Sequence, residues 1–164
     1  VIAEDLGFLT DSVRKLLADS GYPGMKVLQF AFDESGESVY LPFFYEKNCV
    51  VYTGTHDNET TKGWFGNLSE ETRRFAEQYI DCEGKTAEEC VWGMIRAAQS
   101  SVADVCVIPL QDYLCLGNEA RMNMPSTIGT NWKWRLTRGQ LQSRTIEKIY
   151  AMTRLYGRIR EHKK

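Results

Sequence analysis

The sequence lacks the features that define several large classes of protein. Its 164 residues include only two histidines, and the five cysteines are scattered with no Cys-x-x-Cys pair, which argues against a His/Cys metal site. There is no long basic run and the net charge is −2, so binding to nucleic acid has no electrostatic support. The glycine-rich nucleotide fingerprints and the Gly-x-Ser-x-Gly of serine hydrolases are also absent.

Signals for membranes and secretion are missing as well. No apolar run approaches the ~20 residues that a membrane-spanning helix needs, and the first residues lack the basic and apolar regions of a signal peptide. We therefore expect a cytoplasmic protein with no membrane partner. In that compartment the cysteines are expected to be reduced thiols in the core or at the surface; they are Cys49, Cys82, Cys90, Cys106 and Cys115.

What the sequence does contain is an alternation of strand-like and helix-like segments. Apolar, β-rich segments predict four strands, at residues 1–3, 25–32, 50–53 and 105–110. Amphipathic spacing and capping residues predict four helices, at residues 11–20, 69–80, 86–103 and 143–162. Strands interleaved with helices are typical of an α/β fold with a parallel sheet. With 43% hydrophobic residues, the chain has enough apolar side chains for one domain with a core.

The first apolar segment ends in two carboxylates, Glu4 and Asp5, followed shortly by Gly7. Parallel strands of barrel enzymes deliver catalytic side chains at their carboxyl ends. A glutamate held there could donate a proton and take one back in a later step, and Asp5 beside it is expected to bind the substrate. The alternative is that both carboxylates only cap the next turn, and the pattern alone leaves both interpretations open.

A second strand ending carries four polar residues, from Thr55 to Asn58, directly after the apolar VVY. His56 followed by Asp57 offers one hydrogen-bond donor and one strong acceptor, which suits the vicinal hydroxyls of a sugar. We therefore expect His56, Asp57 and Asn58 to take part in a site, although a lone histidine at a strand end is often structural.

Gln111 and Asp112 form a third polar ending, after the apolar VIPL. They either cap the strand or line a substrate site. Residues 123–135, NMPSTIGTNWKWR, are expected to form an ordered loop that is packed for structure or touches the rim of the site. Most aromatic residues should be in the core, and the alternative for those near the carboxylates is stacking on a carbohydrate; they are Phe30, Phe32, Tyr40, Phe43, Phe44, Tyr45, Trp64 and Phe65.

Five segments in order give the chain a family resemblance. They are AEDLG, PGMKVLQFAF, YLP, VVYTGTHDNETT and EARMNMPSTIGTNWKWR. Together they resemble amylomaltase, the bacterial 4-alpha-glucanotransferase or disproportionating enzyme, over essentially all 164 residues. The combination is specific, because these segments are not shared generally among barrel proteins.

The resemblance implies a (β/α)8 barrel of the alpha-amylase kind and a retaining mechanism with three carboxylates. By motif, Glu4 is implied as the acid/base, Asp57 as the stabiliser of the transition state and His56 as its sugar-binding neighbour. The family's nucleophile lies in an Arg-x-Asp-His segment that this sequence does not contain. Residues 1–164 are therefore expected to be the C-terminal half of the barrel, about strands five to eight.

The resemblance also implies the partners. The substrate is a maltooligosaccharide or another α-1,4-glucan, and no cofactor is implied. Without the nucleophile the chain alone should be inactive, and its open strand edges should favour self-association. Two other interpretations remain: a non-catalytic carbohydrate-binding or interaction module, and a hydrolase of the alpha-amylase type.

Overall fold

A computed structural model describes residues 1–33 and 38–159, and it has an α/β architecture around a small parallel sheet. The three strands are β1 (Gly24–Val27), β2 (Cys49–Tyr52) and β3 (Val105–Val107), in that spatial order. Both strand pairs are parallel, with Val27 opposite Tyr52 and Tyr52 opposite Val107. The three strands therefore end level with one another, at one edge of the sheet.

Helices connect and cover the strands. Six α-helices lie in the described ranges: α1 (Asp11–Ser20), α2 (Thr61–Asn67), α3 (Glu70–Tyr79), α4 (Ala87–Ser100), α5 (Leu110–Tyr113) and α6 (Ser143–Leu155). Short 3₁₀ turns occur at Leu28–Ala31, Pro42–Phe44 and Asn118–Ala120. Within residues 1–33 and 38–159, no helix is long and apolar enough to cross a bilayer.

The two faces of the sheet have different surroundings. Cys49, Val51 and Cys106 point to one face and join the main core, which includes Met94 of the long helix α4. Val105 and Val107 point to the opposite face, where they are 45% and 40% exposed. Since a parallel sheet is normally covered on both faces, this second face is incompletely covered by the described residues.

Three of the four predicted strands are present, and two of these three are shorter than predicted. Residues 1–3 do not form a strand; their one ladder-like contact is the Ala3 N–H donating to the Pro23 carbonyl at 2.9 Å. The segment predicted as a strand over 25–32 turns into a 3₁₀ helix after Val27, because the chain must bend away from the sheet there. The last strand stops at Val107, and Pro109 caps α5.

Three of the four predicted helices match closely. α1, α3 and α4 begin where their caps predicted, although α4 ends at Ser100. α6 begins as expected and ends at Leu155, while the predicted end at His162 lies outside the described residues, as do residues 34–37 of the predicted loop. Helix α2 was not predicted, because its seven residues include Gly63 and Gly66. Glycine has a low helix propensity, and these two residues interrupt the apolar spacing of a helix.

The expectation of reduced cysteines is wrong for one pair. Cys82 and Cys90 are joined in a disulfide with their Cα atoms 5.3 Å apart. The turn between α3 and α4 folds back on itself and brings the two side chains together, which their spacing alone did not reveal. Cys49, Cys106 and Cys115 are free, and burial raises the pKa of the Cys106 thiol to about 11, so this thiol stays protonated at neutral pH.

The start of α4 carries a full capping box. The Thr86 hydroxyl accepts a hydrogen bond from the Glu89 N–H at 3.3 Å, and the Glu89 carboxylate accepts one from the Thr86 N–H at 2.8 Å. These bonds satisfy N–H groups that a helix start otherwise leaves without partners. The Thr86 N–H and the Thr86 hydroxyl both donate to the Glu89 carboxylate, and these two bonds lower the pKa of Glu89.

We expect Thr86→Ala to lower the free energy of unfolding by about 1 kcal/mol, because one capped N–H loses its acceptor. Urea denaturation followed by circular dichroism measures this loss. The matched control is Thr10→Ala, because Thr10 occupies the same position before α1 but its side chain makes no capping bond. Equal losses in the two variants would contradict the assignment of Thr86 as the cap of α4.

The capping bonds to Glu89 also make stability depend on pH. Because the pKa of Glu89 is lowered in the fold, the stability that these bonds add is present above the ordinary pKa of 4.5 and is lost as the pH falls below that value.

The segment that follows β2 packs tightly against Gln29, which is only 4% exposed. The Gln29 backbone N–H donates to the Thr53 carbonyl at 3.2 Å, and its side-chain amide donates to the Glu59 carbonyl at 3.0 Å. Gly54 lies between these two contacts. A Cβ built on Gly54 would come within 2.6 Å of the Gln29 amide nitrogen, so the packing leaves no room for a side chain.

Gly54→Ala should therefore destabilise the chain by about 1–3 kcal/mol, the usual effect of overpacking, because Gln29 must give up its bond to Glu59. Gly66→Ala is the matched control: a Cβ there meets nothing within 4 Å, and alanine is the better helix former in α2. Thermal unfolding of both variants provides the measurement. A Gly54→Ala chain as stable as the unsubstituted one would show that Gln29 moves aside freely.

Candidate functional site

A cavity of about 760 Å³ lies over the exposed face of the sheet, near the ends of β2 and β3. Its volume falls within the range of small-molecule sites in proteins. The wall is largely apolar and aromatic, and a group of polar side chains converges on it. The apolar members include Met25, Phe30, Tyr40, Tyr52, Val107 and Pro109, and the polar members are Glu4, Thr55, His56, Asp57 and Asn58.

Glu4 is held at the cavity by its neighbours in the chain. Ala3 bonds to Pro23, and the Asp5 carboxylate accepts a hydrogen bond from the Met25 N–H at 2.6 Å. A Cβ on Gly24 would come within 2.5 Å of that carboxylate, so Gly24 has to be a glycine for Asp5 to fit. These two contacts, one on each side of Glu4, fix its backbone beside β1 and leave its side chain free to face the cavity.

The contacts of Asp5 lie on the side away from the main cavity. We expected Asp5 to bind substrate together with Glu4. The structure instead places its carboxylate on the Met25 backbone, and Asp5 is not among the residues that line the main cavity. Its visible contribution is to anchor the segment that carries Glu4.

The carboxylate of Asp57 is oriented from two sides. The Asn123 amide donates to Asp57 Oδ1 at 2.6 Å, and Nε2 of His56 lies 3.2 Å from the same oxygen. The Arg121 guanidinium donates to the Asp57 carbonyl at 2.6 Å. The side chains of His56 and Asp57 are nevertheless 53% and 48% exposed, so the pair is fixed in direction and still open to a ligand.

His56 has a second support. Its ring packs on the Trp132 ring with the centroids 4.9 Å apart, and its carbonyl accepts from the Asn123 N–H at 3.1 Å. Asn58 closes the turn, because its side-chain carbonyl accepts from both the N–H and the hydroxyl of Thr55. Asn58 lines the cavity as expected, but its oxygen is already occupied by these two bonds.

Gln111 and Asp112 lie behind the loop that carries His56 and Asp57. Both are buried, and both line a separate small cavity of about 120 Å³ rather than the main one. The Gln111 amide donates to the Ala120 carbonyl at 3.2 Å. Burial raises the pKa of Asp112, against the effect of hydrogen bonds from Thr53 and Thr61. The expectation that these two residues line the substrate stays a prediction, and in this structure both side chains bond to protein groups.

The aromatic residues divide between the core and the cavity. Phe30 and Tyr40 line the cavity and contact each other edge to face, with ring centroids 5.5 Å apart. Burial raises the pKa of both Tyr40 and Tyr52, so their phenols stay neutral hydrogen-bonding groups. Phe32 and Phe65 are buried in the core, as expected.

Sequence reasoning missed Arg121 as a site residue and did not single out Asn123. Asn123 begins the loop that was expected either to pack or to touch the rim, and the structure supports the second alternative by joining it to Asp57. Arg121 precedes that loop. The sequence signal for these residues was the dense run of polar and aromatic side chains in this segment. Such a run does not indicate which residue each side chain contacts.

The arrangement as a whole provides two carboxylates, an imidazole and neutral phenols around one aromatic-walled cavity. A carboxylic acid can transfer a proton to a leaving oxygen. A fixed carboxylate can stabilise positive charge that develops in a transition state. Flat aromatic walls and paired donors and acceptors suit a sugar ring.

Comparisons with known proteins agree with this chemistry. A family profile described as 4-alpha-glucanotransferase matches residues 1–142. A 4-alpha-glucanotransferase of Clostridium butyricum is 48% identical over 160 residues, which are 96% of this chain and 32% of that protein. One from Streptococcus pneumoniae is 45% identical over 163 residues, covering 99% of this chain and 32% of its own length.

A solved structure gives the same result. The amylomaltase of Streptococcus agalactiae, in complex with acarbose, superposes with a TM-score of 0.89 at 36% identity, over 94% of this chain and 31% of that one. The chain thus spans about a third of the length of the curated relatives that it matches. From the matching profile, the identities and the superposition, the chain belongs to the 4-alpha-glucanotransferase family.

Proposed function

We propose that residues 1–164 are the C-terminal half of a 4-alpha-glucanotransferase barrel, with about strands five to eight of a (β/α)8 fold. The intact enzyme transfers α-1,4-glucan segments between maltooligosaccharides by a retaining double displacement. The observation that carries this proposal is that Glu4 and Asp57, distant in sequence, line one cavity.

The uncovered parts of the sheet support the half-barrel proposal. β1 and β3 each have one outer edge with no strand partner among the described residues. The face that carries Val105 and Val107 is also partly exposed. In a closed barrel the part of this face below the strand ends would be packed interior, the site would lie at the carboxyl ends of the strands, and the two edges would be paired. In the isolated chain, the same edges and apolar side chains would favour self-association.

Each site residue has a role in the proposed reaction. Glu4 donates a proton to the glycosidic oxygen as the bond breaks, and later takes the proton of the acceptor's 4-hydroxyl. Asp57 accepts hydrogen bonds from ring hydroxyls, and these bonds strengthen as the ring gains oxocarbenium character. His56 donates to a neighbouring hydroxyl.

The nucleophile in this proposal comes from outside the 164 residues. A retaining mechanism needs a carboxylate that attacks from the opposite face of the sugar and forms a covalent intermediate. The sequence has no Arg-x-Asp-His segment of the kind that carries the nucleophile in this family. The substrate is a maltooligosaccharide or a longer α-1,4-glucan, and the acarbose complex of the S. agalactiae relative supports this class of ligand. The cytoplasmic location stays a prediction.

A chimera tests the catalytic roles. The matching segment of the C. butyricum enzyme is replaced by this chain, and glucose release from maltotriose is measured. We expect Glu4→Gln to lower kcat by about 10²–10⁴-fold, because the amide cannot give a proton to the leaving oxygen. Asp57→Asn should lower kcat by about 10²-fold or more through loss of electrostatic stabilisation, with a smaller effect on KM.

Two exposed residues away from the cavity provide matched controls. Glu71→Gln on α3 and Asp19→Asn on α1 make the same chemical changes at the surface and should leave kcat unchanged. Near-normal turnover of the Glu4 or Asp57 variant would remove that residue from its role. A binding module without catalysis would retain its affinity for glucan in the Glu4→Gln variant and show no turnover in any form.

The purified 164-residue chain should show no glucanotransferase activity by itself, because Glu4 and Asp57 cannot form the covalent intermediate. Incubation with maltotriose followed by chromatography for glucose and longer glucans measures this directly, with the chimera as the positive control. A ladder of products from the chain alone would show that it contains its own nucleophile.

A further inference from the structure

One buried carboxylate near the cavity has no part in the proposed chemistry. Asp112, on the short helix α5, is only 1% exposed. Its Oδ2 accepts hydrogen bonds from the Thr53 hydroxyl at 2.6 Å and the Thr61 hydroxyl at 2.8 Å, and its Oδ1 accepts from the Thr61 N–H at 2.8 Å. All three donors point at one side chain, so the carboxylate is fully engaged by the protein.

The two threonines lie at the two ends of one loop. Thr53 directly follows β2, and Thr61 is the first residue of α2. Between them is the catalytic loop, residues 54–60, which carries His56 and Asp57. Because one carboxylate binds both ends, Asp112 restrains the distance between them.

We propose that Asp112 is a positioning residue of the glucan site: it holds the two ends of the catalytic loop together and thereby sets the direction of His56 and Asp57. The inference rests on the proposed function only for its activity measurement. Gln29 also bridges the loop, because it donates to the Thr53 carbonyl and to the Glu59 carbonyl, while Asn123 holds the middle at Asp57. Asp112 is the group that bonds to Thr53 and to the first residue of α2.

The chemistry of the three donors explains why a carboxylate occupies this position. A carboxylate only accepts, so two hydroxyls and an N–H can all donate to it without competition. Burying a charge is unfavourable, and hydrogen bonds from three donors offset that cost. An asparagine could keep the N–H bond and reverse the two hydroxyl bonds, so it should preserve much of the geometry. An alanine would lose all three bonds.

The orientation of His56 can be measured without any activity. The chain has two histidines, so His162→Gln leaves His56 as the sole source of imidazole proton signals in the NMR spectrum. The ring of Trp132, 4.9 Å away, shifts these signals. We expect Asp112→Ala to move them toward the positions of free histidine, and Asp112→Asn to move them much less.

The activity arm uses the chimera with the C. butyricum enzyme. Asp112→Ala should lower kcat about 10²-fold, the effect of a small misplacement of a catalytic group, with KM for maltotriose within about twofold because other contacts bind the glucan. Asp112→Asn should restore most of the rate. If Asp112→Ala fails to fold, Thr53→Val removes one bond without changing shape and should move the His56 signals and lower kcat in the same direction.

Thr72→Val is the matched control, because Thr72 is a similarly buried threonine on α3 whose hydroxyl bonds only within its own helix start. It should leave both the His56 signals and kcat unchanged. Unchanged His56 signals in folded Asp112→Ala or Thr53→Val chains would overturn the positioning role. A chimera inactive in every form, with His56 signals that move as expected, would overturn the proposed function and leave the positioning role supported.

Discussion

The site depends on the parallel register that brings three strands to an end at the same level. Val27, Tyr52 and Val107 lie side by side, so the segments that follow the strands leave the sheet at one edge and must share the space there. Because parallel strands all run the same way, such an edge collects side chains from distant parts of the sequence. The cavity lies where these segments meet the exposed face of the sheet.

The loop after β2 shows how a fixed backbone and accessible side chains can coexist. Its ends are bonded to Asp112, and its carbonyls at Asp57 and Glu59 accept from Arg121 and Gln29. Buried polar groups stay buried only when they have partners, and these bonds satisfy that need on the inner side of the loop. The side chains of His56 and Asp57 are then free to face outward.

Three strand positions and most helix starts could be predicted from the sequence, because they follow from local patterns. Thr86 with Glu89 predicted the start of α4 directly. The partners of individual side chains could not be predicted, since they depend on tertiary contacts. Asp5 and Asp112 look like site residues in the sequence, yet each one bonds to protein groups. Asn123 looked like a loop residue, and it is the one that orients Asp57.

The exposure of the site bears on the choice between transfer and hydrolysis. The side chains of His56 and Asp57 are about half exposed to solvent. Water next to them would weaken every electrostatic contact that they make to a reacting sugar. Water would also compete with a glucan acceptor for a covalent intermediate. In the proposed enzyme, groups beyond the described residues would therefore have to exclude water from this pair. In that proposal the proton donor and the stabilising carboxylate come from this chain, and the attacking nucleophile comes from outside it.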